Sequence, residues 1–335
     1  MDIVQMFYEK AKAKPLKIVF PEGDDERIPP AAAKVKEIGI AVPIIVGNPD
    51  KVKELAKAKG VSVDGIEIVD PLTSPKLETY TKEYAQSRGM KETVAKKLVK
   101  DNYVFGAMMV KMDDADGMVG GVNCPTAKMI SAASLTVGYE AGMSTASSFF
   151  IMVIPEYLGE KDKVLIYADC AVIPNPDAQQ LAEIGISSGI NAKNLVGLEP
   201  KIAFLSFSTK GSASHSDVDK VLKALEIAKK INEEKKLGFE IDGEMQADAA
   251  IVPKVGEKKA PGSKVAGKAN VLIFPDLDAG NIGYKLTERI GKAKALGPIL
   301  QGFAKPVNDM SRGASVQDLV DVAAITCVQA QGSKK

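Results

Sequence analysis

Short apolar runs rich in Val, Ile and Phe alternate along the chain with longer stretches whose apolar residues recur at helical spacing. The first pattern predicts strands over 17–20 (KIVF), 42–47 (VPIIVG), 66–70 (IEIVD), 148–154 (SFFIMVI), 163–168 (KVLIYA), 201–208 (KIAFLSFS) and 270–276 (NVLIFPD). The second predicts helices over 29–37, 50–59, 74–88, 91–100, 177–193 and 216–234, and a last one over 315–330. In 216–234, Val218, Val221, Leu222, Leu225, Ala228 and Ile231 share one face while Lys and Glu fill the other. Such alternation is the α/β signature. Strands that are apolar almost without alternation belong in parallel sheets covered on both faces.

A length of 335 residues suits about two domains. Strands on both sides of the SFFIMVI run predict a change of sheet near residue 147, with the final helix packing back on the first domain. The expected division is therefore 1–147 plus 298–335, and 148–297. No fixed-period repeat points to a solenoid.

Charge is balanced at +1, which removes the electrostatic argument for nucleic acid or an anionic membrane as partner. The apolar run FFIMVI is far below the ~20 residues of a membrane helix. The opening MDIVQMFYEKAKAK has no apolar core of a secretory signal. The expectation is a soluble, cytoplasmic protein. Cys124, Cys170 and Cys327 form no CxxC pair and no disulfide framework, and with His215 the lone histidine a His-rich metal site is impossible.

Gly262-Ser-Lys-Val-Ala-Gly267-Lys268-Ala269 is one residue from a phosphate-binding P-loop. It lacks the Mg²⁺-binding hydroxyl and leads into a strand where a P-loop would follow one, so it reads as a decoy. There is no GxGxxG either. Strand ends are more informative, because ligands of open α/β sheets bind outside the carboxyl ends of the strands. Three end in small, polar turns: 208–214, 277–284, and 116–121 after a strand expected before Asp116. Their glycines are expected to present free N–H groups to an anion, against the plainer alternative of ordinary turns.

The densest segment is Lys305–Asp318. Ser311 and Arg312 precede a glycine, and a helix then opens with Asp318 in its first turn. This offers a hydroxyl, a guanidinium for an oxyanion and a carboxylate base. Ser315-x-x-Asp318 also reads as a helix capping box, which explains those two residues but not Ser311 and Arg312. Only four arginines occur, Arg27, Arg88, Arg289 and Arg312, in a chain that otherwise uses lysine, so arginine marks places where fork geometry matters. His215 reads as a helix-cap residue and Cys170 as a buried small hydrophobe.

Phe20-Pro-Glu-Gly23 with Arg27, Met108-Met-Val-Lys111, Ala115-Asp-Gly-Met118, Ala168-Asp-Cys-Ala171 and Leu205-Ser-Phe-Ser-Thr209 resemble the phosphate acetyltransferase (phosphotransacetylase) family. So do Val265-Ala-Gly267, Phe274-Pro-Asp276, Gly280-Asn-Ile-Gly-Tyr-Lys285, Gly297-Pro-Ile-Leu-Gln-Gly302, Lys305-Pro-Val-Asn-Asp309 and Ser311-Arg-Gly313. The motifs span nearly the whole chain in the family's order. The resemblance implies two α/β domains with mainly parallel sheets and an interdomain cleft, as in isocitrate and isopropylmalate dehydrogenases. It implies reversible acetyl transfer between acetyl phosphate and coenzyme A, with CoA as substrate, no cofactor and no metal, in a homodimer. Asp318 would take the CoA thiol proton, Ser311 would hydrogen-bond the reacting centre, and Arg312 would polarise the acyl carbonyl or hold phosphate. Phosphate and CoA would be bound by Arg88, Thr126, Lys128, Ser131, Cys170, Gly280, Asn281 and Tyr284.

Three departures stand out. The family's phosphate-binding Arg is Ser131 here, with Lys128 one helical turn back. Arg88 matches a second family arginine only if a three-residue gap follows it. Ala314 replaces a frequent Cys. The Ser131 change keeps two alternatives open: transfer of a propionyl or butyryl group, and a catalytically weakened CoA-binding paralogue. A nicotinamide dehydrogenase has only the architecture in its favour.

Overall fold

The structure, a computed structural model, describes residues 2–333. Its strands are β1 (Lys17–Phe20), β2 (Val42–Val46), β3 (Glu67–Val69), β4 (Gly117–Gly120), β5 (Ser147–Tyr157), β6 (Glu160–Ala168), β7 (Lys201–Leu205), β8 (Glu240–Met245), β9 (Val271–Ile273), β10 (Lys294–Gln301) and β11 (Val307–Asp309). Two compact units divide the chain. One runs to Ala141 and resumes at Phe303; the other is Gly142–Gly302.

The first unit holds a wholly parallel sheet in the order β11-β4-β1-β2-β3. Ile18, Val19 and Phe20 at its centre are fully buried, as a strand covered on both faces requires. Helix Val316–Ser333 packs on β4 and on helices Ile3–Ala13 and Ile28–Ile38. The chain moves outward from β1 through β2 to β3, then returns to the other side of β1 with β4. That reversal between β1 and β4 is a topological switch point, the place where ligands of open α/β sheets bind.

The second unit holds a mixed sheet, β10-β5-β6-β9-β7-β8, parallel from β6 to β8 and antiparallel at β10 and β5. Helix Ala178–Asn191 is capped by Asp177 and Gln180 in a reciprocal box and is buried along Leu181–Gly189. Helix Ser216–Glu234 has the predicted limits. It buries Val218, Val221, Ala224, Leu225 and Ala228, and His215 caps it by accepting the Asp217 N–H at 3.2 Å. The P-loop-like segment packs instead of binding: the Gly267 N–H donates to the Ala249 carbonyl, and its Cα side lies against Pro253.

Two predicted features differ, and strand β10 is not among the predictions. The segment before Asp116 is helix Asn102–Lys111, whose residues Phe105–Val110 are all buried, so no amphipathic period marks it, and most of the expected turn 116–121 is strand β4. The segment 277–284 is the start of helix Leu277–Arg289, capped by Asp276, despite its two glycines. Strand β10 is broken by Gly297-Pro298, where its register on β5 shifts; those breakers conceal it in the sequence.

Candidate active site

Three adjacent strand ends in the first unit carry the candidate chemistry. Past β1, Glu22 is buried and takes the N–H groups of Gly121 (2.8 Å), Val122 (3.0 Å) and Asn123 (2.7 Å) and the Tyr103 hydroxyl (2.9 Å). The turn after β4 is thus moulded around a carboxylate, with charge-assisted bonds stronger than neutral ones. Gly121 is required there. Its φ is +100°, and a Cβ would collide with the Asp309 side chain.

Asp309 ends β11 and is 2% exposed. Its Oδ2 accepts the Thr126 hydroxyl at 2.5 Å, while its buried Oδ1 has no hydrogen-bond partner. Burial, with a smaller push from Glu22, raises its pKa to about 6.

Beyond Asp309, the Met310 N–H donates to the Gly120 carbonyl at 2.7 Å, and the chain turns outward. Ser311, Arg312 and Gly313 are exposed. The turn closes with Ala314 N–H on the Ser311 carbonyl (2.9 Å) and Gly313 N–H on Ser311 Oγ (3.2 Å). Ser315 then donates its N–H and O–H to Asp318 Oδ2, both at 2.8 Å, and Asp318 N–H returns to Ser315 Oγ at 3.2 Å. The expected capping box is present, and it holds an exposed carboxylate at the helix entrance. Ser311, Arg312 and Asp318 therefore share one turn and the helix start that follows.

Arg27, singled out in the sequence only as one of four arginines and as part of a motif, binds the carbonyls of Arg312 (2.7 Å), Ala314 (3.1 Å) and Val122 (2.8 Å) and ion-pairs with Asp25. Glu22 and Asp309 were likewise without an assigned role. The scarcity of arginine was the one available signal for Arg27; a buried carboxylate leaves no such mark.

The remaining binding candidates of this unit are at its surface. Lys128 is exposed on helix Thr126–Thr136, ion-pairs with Asp101 at 2.8 Å and lies 4.2 Å from the Tyr103 ring centroid. Ser131 is exposed on the same helix. Arg88 is exposed in the last turn of helix Leu77–Arg88.

In the second unit, Asp169 follows β6, is buried, and accepts from Ala171, Val172, Ile173 and Ser148. Cys170 is fully buried, which pushes its thiol well up. Gly280 lets its helix approach this turn, where a Cβ would collide with the Asp169 carbonyl oxygen. Asn281 Nδ2 donates to the Cys170 carbonyl at 3.0 Å, and Tyr284 stacks on Phe150 at 4.2 Å. These four candidates thus form one packed cluster at the end of β6.

The expectation of free N–H groups in the small-residue turns needs correction. Gly121 donates to Glu22, and Gly211 donates to the buried Glu244. The Gly280 N–H is bonded within its helix. In the turns after β4 and β7, a buried carboxylate takes the N–H groups that an anion would need.

Among the described residues no group of three or more His, Cys, Asp or Glu could hold a metal ion, and no helix is long and apolar enough to cross a membrane. The two units make this an α/β protein, and past β11 an exposed hydroxyl, guanidinium and carboxylate lie on one turn and helix start. The family model described as phosphate acetyl/butaryl transferase matches residues 2–327. Phosphate acetyltransferase of Thermoanaerobacterium thermosaccharolyticum is 50% identical over 99% of this chain and 100% of its own. That of Acetivibrio thermocellus is 47% identical over 99% of each. A phosphotransacetylase crystal structure from Streptococcus pyogenes superposes with a TM-score of 0.92 at 41% identity, covering 98% of both chains. The chain belongs to the phosphate acetyl/butyryl transferase family and is an acyltransferase.

Proposed function

We propose that the chain moves an acetyl group reversibly between phosphate and coenzyme A, with Asp318 as the base on the CoA thiol. The observation that carries this reading is the exposed hydroxyl, guanidinium and carboxylate of Ser311, Arg312 and Asp318 on one turn and helix start. The naming of relatives at 50% and 47% identity as phosphate acetyltransferases supports acetyl as the group transferred.

In this reading Asp318 accepts the thiol proton as sulfur attacks the acetyl carbonyl carbon. The carbon–oxygen bond to phosphate then breaks, and phosphate leaves with its electron pair. An ordinary thiol, with pKa ~8.5, is largely protonated near neutrality, so a positioned base raises the thiolate fraction. Ser311 Oγ hydrogen-bonds the reacting centre. The Arg312 guanidinium offsets charge on the carbonyl oxygen or the leaving phosphate. Both contacts from Ser315 fall on Asp318 Oδ2, which leaves Oδ1 to meet the thiol.

Arg88, Thr126, Lys128 and Ser131 would serve phosphate and CoA on the first unit, and Asn281 and Tyr284 on the second, where the buried Cys170 and Gly280 shape the turn beside them. CoA is a substrate in this scheme and no resident cofactor is invoked. The same reading takes the protein as a cytoplasmic homodimer acting on small molecules.

The test is thioester formation from CoA with acetyl, propionyl and butyryl phosphate. Highest kcat/KM with acetyl phosphate is expected. A preference for propionyl or butyryl phosphate moves the assignment to a longer acyl group. CoA binding without thioester from any of the three marks a weakened paralogue.

A further inference from the structure

The turn that carries Ser311 and Arg312 is closed by its own Ala314 and Gly313 N–H groups on Ser311, but few of its side chains pack against the fold. Three successive residues are exposed, and Ala314 is its one buried side chain. What ties it to the rest of the unit comes from another part of the chain. Arg27 has five N–H donors in a planar fork, and all five are spent on protein. Nε and one Nη2 hydrogen go to the two Asp25 oxygens at 2.8 Å each. The second Nη2 hydrogen goes to the Val122 carbonyl at 2.8 Å. The Nη1 pair goes to the carbonyls of Arg312 at 2.7 Å and Ala314 at 3.1 Å.

Asp25 is itself placed by a turn, its N–H donating to the Glu22 carbonyl at 2.8 Å and its Oδ1 accepting the Arg27 N–H at 3.0 Å. The fork therefore ties three strand-end segments together: 22–28 after β1, the turn after β4, and the turn after β11. No donor remains for a phosphate.

We propose that Arg27 is a positioning residue: its guanidinium sets the backbone of the Arg312–Ala314 turn and so aims Ser311 and Arg312 at the reacting centre. The inference rests on the catalytic reading of Ser311 and Arg312 given above. A lysine at 27 keeps the charge but offers a single point of donation in place of a fork, and cannot span carbonyls on two turns while pairing with Asp25.

The test compares Arg27→Lys, Arg27→Ala and Ser311→Ala in the full chain, measuring kcat and KM for CoA and acetyl phosphate. Misplacement of reacting groups costs about 10²-fold in rate, so Arg27→Lys is expected to lose on that order in kcat with both KM values little changed. Added methylguanidinium is expected to restore part of the kcat of Arg27→Ala in a saturable way, which a general loss of stability would not show. If Arg27→Lys fails to fold, Asp25→Asn keeps the guanidinium but loosens two of its donors and is expected to give a smaller loss with the same split. Full kcat in Arg27→Lys beside an impaired Ser311→Ala overturns the positioning role alone. A raised KM with unchanged kcat also overturns it, because Arg27 would then be a substrate contact. Full activity in Ser311→Ala overturns the catalytic reading, and the proposal built on it.

Discussion

Ser315 and Asp318 cap each other across the first turn of helix Val316–Ser333, through two contacts at 2.8 Å and one at 3.2 Å. The carboxylate assigned to thiol deprotonation is thus also a structural cap, and the two roles separate by substitution. Ser315→Ala removes the hydroxyl from the box and should cost about 1 kcal/mol in denaturant unfolding. Its turnover should fall less than that of an Asp318 variant, because the carboxylate remains. A larger kinetic loss in Ser315→Ala than in Asp318→Asn would assign the chemistry to Ser315.

Asp309 should give the chain a pH-dependent stability. Its pKa is raised from 3.8 to about 6 by burial. Below 3.8 the folded and unfolded states both hold the proton. Between about 4 and 6 the unfolded chain ionises first, so stability falls as pH rises, and it levels off above 6. Asp309→Asn cannot ionise, so its stability relative to the parent should climb across that window by an amount on the order of 3 kcal/mol. Unfolding curves at pH 4, 5, 6 and 7 check this; a constant difference would contradict it.

Glu22→Gln should be strongly destabilising. One amide oxygen cannot serve the three N–H groups and the Tyr103 hydroxyl that two carboxylate oxygens now take, and its NH₂ adds a donor against donors. Unsatisfied buried groups of this kind put the loss at about 3 kcal/mol. A thermal midpoint equal to that of the parent would show the turn after β4 to be held elsewhere.

Ser131→Arg should be nearly neutral for folding, within about 0.5 kcal/mol, since the side chain is exposed on its helix. It should raise kcat/KM by restoring a bidentate phosphate donor, which a lysine such as the ion-paired Lys128 could offer only as a point charge. No gain from Ser131→Arg, with a large loss from Lys128→Ala, would assign the phosphate contact to Lys128.

The α/β alternation was legible because buried parallel strands such as Lys17–Phe20 are short apolar runs, and helix Ser216–Glu234 buries one face at helical spacing from Val218 to Ala228, with Leu222 exposed. Helix Asn102–Lys111 was not, because burial on every side erases the helical period. Nor was β10, whose Gly297-Pro298 pair reads as a turn until its partner β5 is seen. At the site, Ser315 and Asp318 were legible as a cap because that contact is local in sequence. The grip of Arg27 on carbonyls near residue 312 joins distant segments through main-chain atoms, which have no residue-specific signature. The carboxylates filling the small-residue turns were hidden for the same reason.

The most direct test of the account is the turnover of Asp318→Asn at saturating CoA and acetyl phosphate across pH. Loss of a general base predicts a fall of about 10²–10⁴-fold near neutrality. The residual rate should climb with pH toward ~8.5 as the thiol ionises unaided. A variant that turns over at the parent rate, with the parent pH profile, would contradict the assignment of Asp318 as the base.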